Sequence, residues 1–381
     1  MKSFKKGYEK ILSTSHALPY IHQLERIKSV SANRPVILYG AGKAVGIVLV
    51  VCMRNGLQIT ALCDSNKRGM YDKGGVSLPI ISPSELLENY SDSTLVVTSW
   101  KFENEIRENL KSIGFNGNNI FSFWCSQRIT PEIFEENYLE DYMWAYDFYK
   151  DDISRQLVLD KISSYLSSVP LKPDTTHEIY YDEVIKLAEN EVFLDGGAYD
   201  GDTIKSFLKN VNGKYQYIYA FEPDDVPFAE LKEYTRGFDN VEIFNGGLAE
   251  KNDVKTFYYD GLVASGFVSL KFFATTGDKF SDTIFKTGDK NVFSIDAMIK
   301  DGKLKHMPTF IKLDVEGSET ETLQGAANLI RDYRPKFSIS SYHQVQDIYE
   351  IPKTLLSIRT DYKFILRQHD FGYYETVLYA Y

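Results

Sequence analysis

The chain has almost no cysteine. It has three in 381 residues, Cys52, Cys63 and Cys125. Their spacing suits neither a disulfide framework nor a thiolate metal site, so reduced thiols in a cytoplasmic protein are expected. Long apolar runs are also missing. The longest, Val45 to Met53, is broken only by Gly46 and falls far short of the roughly 20 residues that cross a bilayer. The basic start MKSFKKGYEK leads into no apolar stretch, so no secretory signal is expected. Positive charge is in deficit: 43 Lys and Arg against 53 Asp and Glu leave a net charge of −10. Without a basic stripe, nucleic acid is not an expected partner.

What is present reads as an ordinary two-domain protein, with 43% hydrophobic and 25% charged residues. Four stretches organise it. Residues 1–32 carry apolar positions at helical spacing (Tyr8, Ile11, Leu12, Leu24, Ile27). Residues 33–125 read as a small Rossmann-like α/β unit. Residues 126–190 are aromatic and acidic with helical periodicity, broken by Pro170 and Pro173. Their aromatics are expected to pack the connection, with Tyr180 and Tyr181 placed to reach a site. Residues 191–381 alternate strands with helices. Seven strands start at Glu191, Tyr217, Val241, Thr309, Lys336, Lys363 and Thr376, the last two forming a hairpin. Val254–Phe273 reads as an extra β excursion, and Thr275–Asp289 as a polar loop near the mouth.

The most informative segment is EVFLDGGAYDGDT, Glu191 to Thr203. A short apolar strand ends on Asp195, turns through Gly196, Gly197, Ala198, Tyr199 and Gly201, and opens a helix. A second strand, YIYAF, ends on Glu222, where a carboxylate can accept hydrogen bonds from ribose hydroxyls. An adenosine-type cofactor is therefore expected. The glycine spacing is not G-x-G-x-x-G, and Asp200 and Asp202 in the loop would repel a pyrophosphate. They suit a ligand carrying ammonium and sulfonium, as S-adenosylmethionine does.

A second glycine turn lies in the first unit, Gly40-Ala41-Gly42-Lys43-Ala44-Val45-Gly46, followed by a strand ending on Asp64. Val45 stands where a dinucleotide fingerprint places its third glycine. Lys43 could meet a phosphate. A nucleotide-sugar site built from Gly40, Gly42, Lys43, Gly46 and Asp64 and a unit used only for packing are both open readings.

KDDISRQLVLDKI (Lys150–Ile162), EVFLDGGAYDGDT, YAFEPD (Tyr219–Asp224), FIKLDVEGSE (Phe310–Glu319) and ETVLYAY (Glu375–Tyr381), in that order, resemble the FkbM family of S-adenosylmethionine-dependent methyltransferases. The resemblance runs from about Asp151 to the C-terminus. It implies a class I methyltransferase α/β fold, a doubly wound seven-stranded sheet in the order 3-2-1-4-5-7-6 with its last strand antiparallel. It also implies O-methylation of a sugar or secondary-metabolite hydroxyl.

In that sheet the tips of strands 1 and 4 face one crevice. Asp195, Gly196, Gly197, Ala198, Tyr199, Gly201 and Asp202 are expected around the methionine end of the cofactor. Glu222 and Pro223 are expected at the ribose, and Asn245 and Gly246 by the adenine. Asp314 and Glu316 should lie near the transferred methyl. Lys312 shares a strand face with Asp314 and either pairs with that carboxylate or steers an anionic substrate. His343, after strand 5, is the expected general base. Asp314, Glu316, Glu319 and His343 could offer metal ligands, but no spacing demands one, and no metal is expected. His16, His22, His177, His306 and His369 form no constellation.

Two further readings compete with a methyltransferase acting on a small-molecule or glycan substrate. One is a nucleotide-sugar or NAD-dependent enzyme run by the first unit. The other is a non-catalytic cofactor-binding scaffold.

Overall fold

The computed structural model describes residues 2–14, 20–42, 45–73, 75–122, 129–167, 170–259, 286–372 and 374–381. Two helices open the chain, α1 (Lys2–Thr14) and α2 (Tyr20–Ser31). The first module follows: β1 (Val36–Tyr39), α3 (Val45–Arg54), β2 (Ile59–Cys63), β3 (Gly69–Lys73), β4 (Val76–Ile81), α4 (Pro83–Tyr90), β5 (Thr94–Val97), α5 (Glu103–Ser112) and β6 (Ile120–Phe121). Its sheet runs β3-β4-β2-β1-β5-β6, and only the β3–β4 pair is antiparallel. The VILY of β1 is buried along its whole length, as a parallel strand covered on both faces must be. Among the described residues no helix is long and apolar enough to cross a membrane.

Three helices connect the modules, α6 (Pro131–Asn137), α7 (Leu139–Phe148) and α8 (Asp152–Ser167). Their aromatics pack as a bridge. Phe134 meets Tyr8 of α1 and Tyr142 of α7 ring to ring. The Tyr142 hydroxyl donates to the carbonyl of Val345 (2.8 Å) and the Tyr149 hydroxyl to that of Ile348 (2.9 Å), both far along the chain. The helical expectation for residues 126–190 fails beyond Ser167. From Pro170 the chain runs without helix to the next strand. Pro170 and Pro173 withhold backbone donors there, and Tyr180 adopts a left-handed φ of 70°.

The second module comprises β7 (Val192–Gly196), α9 (Asp202–Asn210), β8 (Tyr217–Phe221), α10 (Asp225–Tyr234), β9 (Val241–Phe244), β10 (Gly247–Leu248), β11 (Asp253–Tyr259), β12 (Lys286–Phe293), α11 (Ile295–Lys300), β13 (Phe310–Leu313), α12 (Glu319–Gln324), α13 (Ala327–Tyr333), β14 (Lys336–Ser340), α14 (Asp347–Ile358), β15 (Phe364–Gln368) and β16 (Thr376–Ala380). The main sheet is ordered β15-β16-β14-β13-β7-β8-β9. That is the expected 3-2-1-4-5-7-6 read from the other edge, and β16 is antiparallel to both its neighbours.

Of the expected β excursion over Val254–Phe273, residues 254–259 lie in β11, part of a three-stranded side sheet β10-β12-β11, and residues 260–273 lie outside the described residues. Residues 260–285, and with them most of the expected mouth loop, lie outside the described residues. The end of that expected loop is strand instead: Lys286–Asp289 belongs to β12, paired with Thr256–Tyr259 of β11. The alternation Thr287, Asp289, Asn291 against Gly288, Lys290, Val292 makes one polar face that looks loop-like in sequence.

Candidate active site

The crevice opens where β7, β8, β13 and β14 end. Gly197 makes the turn after β7 with φ 78°, and its amide donates to the carbonyl of Phe221 (3.0 Å). A Cβ there would overlap the carbonyl oxygen of Asp314, so this glycine lets two strand tips approach backbone to backbone. Gly201 (φ 95°) starts α9 against Tyr234. Gly197→Ala should therefore lower stability by at least about 2 kcal/mol and abolish cofactor binding. Thermal unfolding together with titration of S-adenosylhomocysteine checks this, and a wild-type melting curve would overturn it.

Glu222 clamps the turn from the tip of β8. Its Oε2 accepts from the Tyr199 amide (3.0 Å) and its Oε1 from the Asp224 amide (2.8 Å). Burial pushes its carboxyl up to about 7, and the two amides pull the other way. Asp224 then caps α10 through Val226, with Pro223 between the two acids. Tyr199 stands 58% exposed at the turn, in a left-handed conformation. Ala198 is fully buried below it. Asp202 spends one carboxylate oxygen on the amide of Thr203 (2.7 Å) in the first turn of α9.

Asn245 and Gly246 follow β9. The Asn245 amide donates to Asp225 (2.8 Å), whose carboxylate also pairs with Lys290. Gly246 lies tight against Asn291 and Phe293 of β12, and its amide donates to the Glu222 carbonyl (3.1 Å).

The ion pairing of Lys312 differs from the expectation. The residue is 1% exposed, and its ammonium lies 3.2 Å from Asp195 Oδ1 and donates to the carbonyls of Gly197 (2.6 Å) and Gly196 (3.2 Å). Its partner is Asp195 rather than Asp314, because β13 and β7 are paired with these two residues directly opposite. A lysine so enclosed cannot steer a substrate. Burial works against its charge, but Asp195 and Asp314 outweigh it and keep the ammonium charged. Asp195 is fully buried, and burial pushes its carboxyl up to about 6 despite Lys312. The contact is an ion pair without alignment: neither Asp195 oxygen receives a well-directed hydrogen bond.

Asp314, at the tip of β13, reaches the crevice with a quarter of its side chain exposed. Two hydroxyls donate to it, that of Tyr180 to Oδ2 (2.9 Å) and that of Tyr342 to Oδ1 (3.3 Å), and His343 Nε2 stands 3.3 Å from Oδ1 as an ion-pair contact. Burial raises its carboxyl, but Lys312 and His343 more than offset this and hold it below the usual carboxylate range. Glu316 follows in a left-handed conformation (φ 52°), and Oε2 lies 3.5 Å from His343 Nε2. Glu319, 1% exposed, takes the other ring nitrogen, with Oε1 2.9 Å from Nδ1, and accepts from the Val315 amide (3.0 Å).

This geometry corrects the role expected of His343. Burial alone would lower its pKa, but Glu319, Glu316 and Asp314 overcome that and hold the ring well above the ordinary 6.5. This favours the charged ring, which has no free lone pair with which to take a proton, and so counts against the general-base role.

Asp314, Glu316 and His343 thus come together as expected. Lys312 and Asp195 form the layer beneath, and Glu222 lies on the far side of the glycine turn. Tyr342 and the orienting role of Glu319 were missed in sequence. Both sit beside identified residues, Tyr342 before His343 and Glu319 in the first turn after DVEGS, and that adjacency was the available signal.

In the first module, Asp64 ties its own turn. Its Oδ2 accepts from the Ala41 amide (2.8 Å), its Oδ1 from the amides of Asn66 and Lys67 (2.8 and 3.0 Å), and Lys67 donates to the Ala41 carbonyl (2.6 Å). Burial opposes its charge, but these backbone donors hold it below the usual range. Gly40 turns at φ 115° against Thr98, Gly42 is open to solvent, and Gly46 is buried in α3. Lys43 lies outside the described residues.

Residues 195–373 match the family model described as methyltransferase FkbM domain, and residues 32–121 match C2185-like, N-terminal. Methyltransferase FkbM from Methylobacillus flagellatus KT is similar in fold over both modules. The identity is 19%, the TM-score 0.62, and the match covers 95% of this chain and 98% of that one. Aeropyrum pernix fibrillarin in complex with S-adenosyl-L-methionine overlaps 52% of this chain and 70% of its own at 12% identity and TM-score 0.31. Precorrin-6y C5,15-methyltransferase from Geobacter metallireducens GS-15 overlaps 51% and 80% at 10% identity and TM-score 0.30. No curated protein sequence matches the chain. With a methyltransferase sheet in the expected strand order and a glycine turn clamped by an acid, residues 195–373 form a methyltransferase FkbM domain, which makes the chain an S-adenosylmethionine-dependent methyltransferase.

Proposed function

We propose that the enzyme methylates a hydroxyl of a sugar or glycan precursor, in the cytoplasm, as a step in building a surface glycan. The observation that carries this reading is Asp314, a crevice carboxylate aligned by the hydroxyls of Tyr180 and Tyr342, with His343 beside it, and ready to accept a hydrogen bond from an acceptor hydroxyl. S-adenosylmethionine supplies the electrophilic methyl.

The residues fit such a ligand. Glu222 is a buried carboxyl that two ribose hydroxyls would stabilise in its charged form. Asp195 keeps two oxygens without aligned donors beneath the turn. Asn245 and Gly246 close the edge beyond β9. The chain's main contribution is alignment of the acceptor oxygen with the methyl and the sulfur at about 3 Å. Asp314 orients the hydroxyl, and its depressed pKa makes it a weak base, so the proton leaves late. The first module supports a packing role better than a nucleotide role, since Asp64 already satisfies its own turn.

Titration of S-adenosylhomocysteine into the wild type and Glu222→Ala, with NADH and UDP-sugars as comparators, tests this placement. Binding to the wild type and at least about tenfold weaker binding to the variant is the expected result. Binding of NADH without S-adenosylhomocysteine would overturn it.

A further inference from the structure

The cluster beside the acceptor position has more acid than its own cation balances. Asp314, Glu316 and Glu319 all face His343, so even a charged ring leaves a net excess of two negative charges. One ligand atom from each of Asp314, Glu319 and His343 falls within 4.8 Å of the other two. Neither ring nitrogen of His343 makes a well-directed hydrogen bond, although both are shut off from solvent, and Oε2 of Glu319 is likewise buried without a partner. Their spacing explains this. Glu319 Oε1 is 2.9 Å from Nδ1 and Asp314 Oδ1 is 3.3 Å from Nε2, close contacts whose directions are wrong for hydrogen bonds. One ion takes one ring nitrogen, so the arrangement that matters is the set of three ligand atoms, one from each residue, within 4.8 Å of one another.

The geometry points to a divalent-cation site made by Asp314, Glu319 and His343, with Glu316 at its open side. Two carboxylates and one imidazole suit Mn2+ or Mg2+, and the nitrogen favours Mn2+ of the two. The ion would neutralise the excess charge, and it would stand at the tip of β13, where the acceptor hydroxyl is placed. A cation there acidifies a hydroxyl that reaches it. The bond changes are those of methyl transfer. The O–C bond forms, the C–S bond breaks with its electron pair passing to sulfur, and the hydroxyl proton passes to water. The catalytic use of the ion rests on the reading given under Proposed function. The site itself rests only on the cluster.

The test separates the two. Chelator-treated full-length protein is titrated with Mn2+, followed by electron paramagnetic resonance, and separately with S-adenosylhomocysteine. One Mn2+ per chain is expected, with affinity reduced at least about tenfold in Glu319→Gln and in His343→Gln. Thermal melting confirms that each variant is folded. Should one variant fail to fold, Asp314→Asn takes its place. Failure of the wild type to bind Mn2+ at millimolar concentration, or wild-type binding in both folded variants, overturns the site and leaves methyl transfer standing. Mn2+ binding without S-adenosylhomocysteine binding keeps the site and removes the methyl-transfer reading.

Discussion

Replacing Lys312 by methionine should lower the unfolding free energy by about 3–5 kcal/mol, the cost of leaving a buried carboxylate without its partner. Asp195 has no exposed surface, and Lys312 is its ion-pair partner. The ammonium also donates to the carbonyls of Gly196 and Gly197, so its loss loosens the turn that holds the cofactor. Methionine keeps most of the volume, which confines the effect to charge and hydrogen bonding. The double variant Lys312→Met/Asp195→Asn should recover much of the loss, because it removes the orphaned charge.

The pH dependence has a definite sign. The folded value for Asp195, about 6, lies above its ordinary 3.8. The unfolded chain therefore gives up this proton first, and the stability due to this group falls as pH rises from about 4 to about 6. Without Lys312 the carboxyl is raised further, so the variant should lie nearest the wild type around pH 4 and diverge toward pH 7. Urea unfolding at these two pH values decides the matter, and a variant within about 1 kcal/mol of wild type at pH 7 would sink the argument.

Asp314→Asn should cut turnover by about a thousandfold while the affinity for S-adenosylhomocysteine stays within about threefold. The amide has the same shape and keeps one oxygen for Tyr180 or Tyr342. It removes the charge that aligns the acceptor and that Lys312 and His343 are arranged to stabilise. Transfer of a labelled methyl to a panel of monosaccharides and nucleotide-sugars gives the rate, and calorimetry the affinity. A matching loss in both would make Asp314 a cofactor-binding residue instead. Tyr180→Phe removes only one of the aligning donors and should have a much smaller effect on the rate.

The strand order and the crevice were legible because both depend on local pattern. An apolar strand with an acid at its tip recurs at Asp195, Glu222 and Asp314, with glycine in the turn after the first and the last, and the topology of such sheets brings the tips together. Partners across strands were not legible. Lys312 shares a face with Asp314 in sequence, yet register places it opposite Asp195, and register is a property of two strands rather than one. The charge state of His343 was hidden for a similar reason. Three carboxylates gather on it only once the left-handed turn at Glu316 folds Glu319 back beneath the ring. Polar alternation likewise concealed β12.

The hydroxyls of Tyr142 and Tyr149 bind the carbonyls of Val345 and Ile348, which immediately follow His343. The boundary of the catalytic apparatus is thus not the boundary of the folding unit. A fragment beginning near 191 would retain Asp195, Glu222, Asp314 and His343, yet it would lose Tyr180, leave those two carbonyls without donors and strip Tyr349 of its ring contact with Tyr142. Grafting this half onto another amino-terminal partner has to carry α6 to α8 along with it, because those helices are the wall against which the His343 segment is set.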